Sequence, residues 1–108
     1  MNRMDGKICV VTGSTQGLGA AIARRLADAG AAGLVTLGRN AARGEAVAAA
    51  ITRDTGAPVH FVKADLGSVP DCRRVIAEAE QRFGRVDVLV NAGALTDRGT
   101  ILDTSPEL

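Results

Sequence analysis

The sequence predicts an α/β fold, a doubly wound parallel sheet, and three observations carry that reading. Four short apolar runs rich in Val, Ile, Leu and Phe recur along the chain, the pattern of strands buried on both faces. Single amphipathic runs of helical period separate them. Strands alternating with single helices imply right-handed crossovers and hence a parallel sheet. The third observation is a glycine-rich turn, Thr12-Gly13-Ser14-Thr15-Gln16-Gly17-Leu18-Gly19, directly after the first apolar run.

In chain order, the first strand is predicted over Ile8–Val11, with Cys9 buried in it as a small hydrophobe. The first helix opens at the glycine turn. Leu18, Ile22, Ala23 and Leu26 share one face, and Gly30 is placed to stop it. A second strand follows over Gly33–Leu37. The second helix runs from about Ala41 to Asp54, alanine-rich, with Val47 and Ile51 on one face and Gly56 after it. Pro58 precedes the third strand, Val59–Val62, where its missing N–H does little harm. Ser68 can cap the third helix, with Pro70 in its first turn. Val75, Ile76, Ala79 and Phe83 form the apolar face, and Gly84 ends the helix. The fourth strand is expected over Val86–Val90. Further on, Thr104-Ser105-Pro106-Glu107 signals one more helix start just before Leu108, the last residue. The resulting expectation is that residues 1–108 are the N-terminal part of a single, longer domain, truncated here.

Bulk properties narrow the function classes. A chain of 108 residues forms one domain at most. A net charge of +1 gives no electrostatic case for nucleic acid or a membrane as partner. No apolar run approaches the ~20 residues that span a bilayer. The chain enters its first strand without room for a signal peptide, so a cytoplasmic location is the expectation. Cys9 and Cys72 are not closely spaced and His60 is the single histidine, which argues against a zinc site or a disulfide framework.

The glycine turn carries the chemistry. A strand, a glycine-rich turn and a helix in that order aim backbone N–H groups and a helix N-terminus at one spot, and both favour an anion. The spacing is T-G-x-x-x-G-x-G, unlike the G-x-G-x-x-G of most dinucleotide folds. It is no Walker A loop either, since Leu18-Gly19-Ala20 stands where Lys and Ser or Thr should close it. Asp65-Leu66 follows the third strand and Asn91-Ala92-Gly93 the fourth. Ligands of open α/β sheets bind at the carboxyl ends of the strands. Gly13, Gly38, Asp65 and Asn91 all fall there.

With these three motifs in this order, the chain resembles the short-chain dehydrogenase/reductase family from about Lys7 to its last residue. The resemblance implies a Rossmann-like sheet in strand order 3-2-1-4 with three helices. It implies a nicotinamide dinucleotide bound by Gly13, Ser14, Thr15, Gln16, Gly17, Leu18 and Gly19. By the same resemblance the Asp65 side chain meets the adenine amino group with the Leu66 backbone assisting, and Asn91, Ala92 and Gly93 pack on the adenosine ribose and hold the fourth strand to the first. Two plainer readings stay open: Asp65 as a helix or turn cap, and Asn91-Ala92-Gly93 as residues that simply make the turn.

The exit of the second strand bears on cofactor choice. An NAD-selective site places an Asp or Glu about 20 residues beyond the glycine loop. Gly38 stands there, followed by Arg39 and Asn40. Arginine offers planar, charge-assisted hydrogen bonds to a 2′-phosphate. NADP(H) is therefore expected over NAD(H), with Arg39 and Asn40 added to the cofactor-binding set. Gln16 takes the place where family NADP binders often have a second cation, and Arg39 as a solvated loop cation is the plainer reading.

The family resemblance also implies hydride transfer between the nicotinamide and a small carbonyl or alcohol, driven by Ser, Tyr and Lys in a homo-oligomeric parent. This chain has no Tyr, and its lysines are Lys7 and Lys63. Ser14 belongs to the turn, while Ser68 and Ser105 read as helix caps. No catalytic residue is assigned, and the chain alone is expected to bind cofactor without turnover. The alternative is a non-catalytic nucleotide-binding module.

Overall fold

The computed structural model describes residues 4–12, 17–65 and 67–91. Its elements follow the predicted alternation: β1 (Ile8–Thr12), α1 (Gly17–Asp28), β2 (Gly33–Gly38), α2 (Ala41–Thr55), β3 (Val59–Lys63), α3 (Val69–Phe83) and β4 (Val88–Asn91). The four strands form one parallel sheet in the order β3-β2-β1-β4. The expected helix start at Thr104-Ser105-Pro106-Glu107 lies outside the described residues.

The strand pleat sorts side chains onto two cores. Cys9, Val11 and Leu34 face one way and meet Ala23 and Ala27 of α1 and Ile51 of α2. Val10, Val35, Leu37 and Val62 face the other way and meet Val75 and Ala79 of α3. The chain steps from β1 to β2 to β3 in one direction, so right-handed crossovers put α1 and α2 on the same face. It then returns past β1 to reach β4, and the same handedness carries α3 across the opposite face. Cys9 is fully buried as expected, and burial, with the Asp87 charge adding to it, pushes its thiol pKa up.

Helix boundaries have local causes. Asn40 caps α2 by accepting the Arg43 N–H at 3.0 Å, and Ser68 caps α3 by accepting the Asp71 N–H at 3.2 Å. Gly56 and Gly84 end these helices, their N–H groups bonded back to the carbonyls of Thr52 and Glu80. β1 to β3 each run one residue beyond the predicted end.

The fourth strand starts at Val88, not Val86. Asp87 is engaged in a clamp that ends the ladder. Its N–H donates to the Ile8 carbonyl at 2.8 Å, and its carboxylate accepts the Ile8 N–H at 2.8 Å and Arg85 at 2.8 Å. Arg85 also donates to the Gly6 carbonyl. Val86 is left to pack beneath α3. Among the described residues β4 pairs only with β1, and Leu89 on it is 61% exposed.

The clamp makes stability acid-sensitive. The Ile8 N–H, then Arg85, hold the Asp87 carboxyl below the usual carboxylate range. His60, then Arg74, do the same for Glu78, and Arg53, then Arg24, for Asp54. A carboxylate whose pKa is depressed by folding contributes stability above its unfolded pKa and loses it as pH falls through the folded value. Urea melts between roughly pH 5 and pH 2 should therefore show stability falling with acid. Asp87→Asn keeps an acceptor for Ile8 but not the titrating charge, so it should be less stable at neutral pH and show a shallower acid limb.

Among the described residues, one buried side-chain polar atom is unpaired. Thr36 in β2 is 1% exposed and its hydroxyl has no hydrogen-bond partner among them. Thr36→Val removes that hydroxyl at nearly constant shape. Since an unsatisfied buried group costs about 1–3 kcal/mol, the variant should melt several degrees higher by calorimetry; a lower melting temperature would contradict this account of the site.

Candidate dinucleotide site

The carboxyl ends of all four strands open on one edge of the sheet. Register places Thr12 beside Asn91 and Gly38 beside Lys63. The Thr12 hydroxyl, on a residue only 8% exposed, lies 3.0 Å from Asn91 Oδ1 and 3.3 Å from the Val90 carbonyl. Its proton ties the end of β1 to the end of β4. Asn91 therefore holds β4 to β1, as the resemblance implied, and its carboxamide sits at the sheet edge. Thr12 was not among the predicted binding residues. Its place as the first residue of the glycine-rich turn motif, directly after the predicted strand, was the available signal.

The connection from β1 to α1 includes Gly13, Ser14, Thr15 and Gln16, which lie outside the described residues, as do Leu66, Ala92 and Gly93. α1 begins at Gly17, continues through Leu18, and buries Gly19 in its first turn. The helix N-terminus thus stands at the carboxyl end of β1, where its macrodipole favours an anion.

Arg39 follows β2 directly and is exposed. Among the described residues its side chain makes no hydrogen bond or ion pair. Asn40 spends its side-chain oxygen on the α2 cap. No carboxylate follows β2 before α2, since Arg39 and Asn40 fill the gap.

Asp65 comes two residues after β3 and is exposed. Three hydrogen bonds pin it. Its Oδ1 accepts the Gly67 N–H at 2.8 Å, its carbonyl accepts the Ser68 N–H at 3.0 Å, and its own N–H donates to Asp71 Oδ2 at 2.8 Å. The cap reading and the ligand reading are thus compatible. One carboxylate oxygen closes the turn, and the other is left, among the described residues, as an acceptor. On the α3 face, Val10, Leu37, Cys72, Val75, Ile76 and Leu89 line an apolar cleft of about 170 Å³ that reaches up to Thr12 and Asn91.

A family model described as short chain dehydrogenase matches residues 7–108. The chain belongs to the short chain dehydrogenase family. An uncharacterized oxidoreductase of Methylorubrum extorquens is 39% identical over 107 residues, covering 99% of this chain and 43% of the relative. Two solved structures of similar fold are complexes with NADP-type molecules. One is the L-sorbose reductase of Gluconobacter frateurii complexed with NADPH and L-sorbose, with TM-score 0.78, 31% identity, and coverage of 82% of this chain and 34% of that one. The other is the alcohol dehydrogenase of Thermococcus sibiricus complexed with 5-hydroxy-NADP, with TM-score 0.74, 33% identity, and coverage of 79% and 36%. The chain thus spans between 34% and 43% of the length of these three proteins. No described helix is long and apolar enough to cross a membrane.

Proposed function

We propose that this chain holds the adenosine and phosphate half of a nicotinamide dinucleotide, NADP(H) in preference to NAD(H), as the cofactor-binding portion of an oxidoreductase. The observation that carries the reading is Arg39, an exposed guanidinium without a structural partner among the described residues. It stands at the carboxyl end of β2, where an NAD-selective site would hold a carboxylate. The two similar structures with NADP-type ligands support it.

The residues present fit such a cofactor. The α1 N-terminus with the Gly13 to Gly19 turn favours the pyrophosphate. Arg39 offers charge-assisted hydrogen bonds to a 2′-phosphate. The second carboxylate oxygen of Asp65 accepts from the adenine amino group. Thr12 and Asn91 hold β1 to β4 at the floor of the site, with Asn91, Ala92 and Gly93 toward the ribose. The dinucleotide, when bound, supplies or accepts a hydride. Reduction of a carbonyl also needs a proton donor, and these 108 residues contain no tyrosine. Lys7 and Lys63 lie at opposite ends of the sheet, before β1 and at the end of β3. The chain by itself therefore binds without turnover, and a small carbonyl or alcohol belongs to the whole enzyme.

Calorimetric titration with adenosine 2′,5′-bisphosphate and with ADP tests this. Tighter binding of the 2′-phosphate compound is expected. Equal affinities would remove the NADP preference, and no binding of either would overturn the reading. Robust NADPH-dependent ketone reduction by the 108-residue chain would contradict the absence of turnover.

A further inference from the structure

The first turn of α3 departs from a simple capping box in a way that points at the candidate site. Ser68 is the N-cap, and Asp71 occupies the position three residues on, whose side chain ordinarily reaches back to the cap N–H. Here the Ser68 N–H goes to the Asp65 carbonyl at 3.0 Å instead. The Asp71 carboxylate reaches past the cap to the Asp65 N–H at 2.8 Å.

Asp71 is itself held. Its other oxygen lies 3.6 Å from Arg74, one helical turn on. Arg74 is fixed at two further points. It donates to the Lys63 carbonyl at 2.7 Å, two residues before Asp65, and pairs with Glu78 at 3.3 Å. Glu78 in turn meets His60 of β3 at 2.9 Å. One connected row of polar groups, His60, Glu78, Arg74 and Asp71, therefore runs along α3 and ends on the backbone of Asp65. Each pair is partly exposed, and such pairs contribute little to global stability. What the row does is fix the direction of one turn.

We propose that Asp71, braced by Arg74, is the positioning residue for the adenine-recognising turn at Asp65. The inference rests on the dinucleotide reading above and deepens it. A carboxylate that must accept from one amino group gains affinity when its backbone is already locked, because less ordering remains to be done on binding. Asp71 touches no ligand in this arrangement and acts through the Asp65 N–H.

The test pairs hydrogen exchange of the Asp65 amide with affinity for adenosine 2′,5′-bisphosphate, both measured well below the melting temperature. Asp71→Ala should release protection at Asp65 and weaken binding about tenfold, the scale of one charge-assisted hydrogen bond. Asp71→Asn keeps an acceptor for that N–H and should restore most of both. Arg74→Gln should give a partial loss and serves if Asp71→Ala fails to fold. Asp54→Ala, which removes the Arg24–Asp54 pair at the far end of α2, should change neither readout even where it lowers stability. Unchanged Asp65 protection in folded Asp71→Ala and Arg74→Gln would overturn the proposal. So would equal loss in Asp71→Asn and Asp71→Ala. If the unaltered chain binds no nucleotide, the dinucleotide reading fails, while the exchange data still decide whether Asp71 orders the turn.

Discussion

Arg39→Asp should lower affinity for NADPH by about one to two decades, since a hydrogen bond to a charged group is worth roughly 1.5–3 kcal/mol. Like-charge repulsion adds to the loss, because on the proposed reading the new carboxylate would face the 2′-phosphate at the end of β2. NADH affinity should hold or rise, since a carboxylate there can accept from the ribose hydroxyls. Folding should be nearly untouched. Arg39 is exposed and makes no side-chain bond among the described residues, and such surface changes usually stay within about 0.5 kcal/mol. Fluorescence titration with both reduced cofactors separates these effects. An unchanged NADPH affinity would remove Arg39 from the site.

Gly44→Ala should destabilise the fold, although Ala is the better helix former by about 1 kcal/mol. Gly44 is buried in α2 against β3, and a Cβ there would lie 2.1 Å from the ring of Phe61. Phe61 is only 7% exposed, so the ring cannot swing out to water. Overpacking of this kind costs about 1–3 kcal/mol, and the severity of the overlap puts the net effect on the unfavourable side. Phe61→Leu shortens the opposing side chain, so the double variant should lose less than the sum of the singles in urea melts. The same arrangement recurs on the other face, where a Cβ on Gly33 would lie 2.5 Å from Phe83. Each phenylalanine of the chain thus packs an edge of its ring against a glycine, Phe61 against Gly44 of α2 and Phe83 against Gly33 of β2.

The fold was legible because its signals are local and repeat. Continuous apolar runs such as Leu34-Val35 mark strands buried on both faces, and hydroxyl or amide caps with glycine stops mark helix ends. Handed crossovers then leave few topologies. What stayed hidden depends on contacts between residues distant in sequence. Nothing near Asp87 announces that it clamps Ile8, 79 residues away, and this contact delays β4 by two residues. Nothing around Gly44 announces Phe61. In the site, the residue types at the strand ends named Arg39, Asp65 and Asn91. Thr12 and Asp71 were missed because each acts on another site residue instead of on a ligand. The Ser68-x-x-Asp71 spacing did signal a helix start, but only the structure shows its carboxylate reaching Asp65.

The most direct test of the account is amide chemical-shift mapping of the 108-residue chain during titration with NADP⁺. Perturbations should cluster at Gly13 to Gly19, Arg39, Asp65 and Asn91, and be weaker with NAD⁺ at equal concentration. Shifts confined to the opposite end of the sheet, around Lys7, Ala31 and Asp87, or none at saturating NADP⁺, would contradict it.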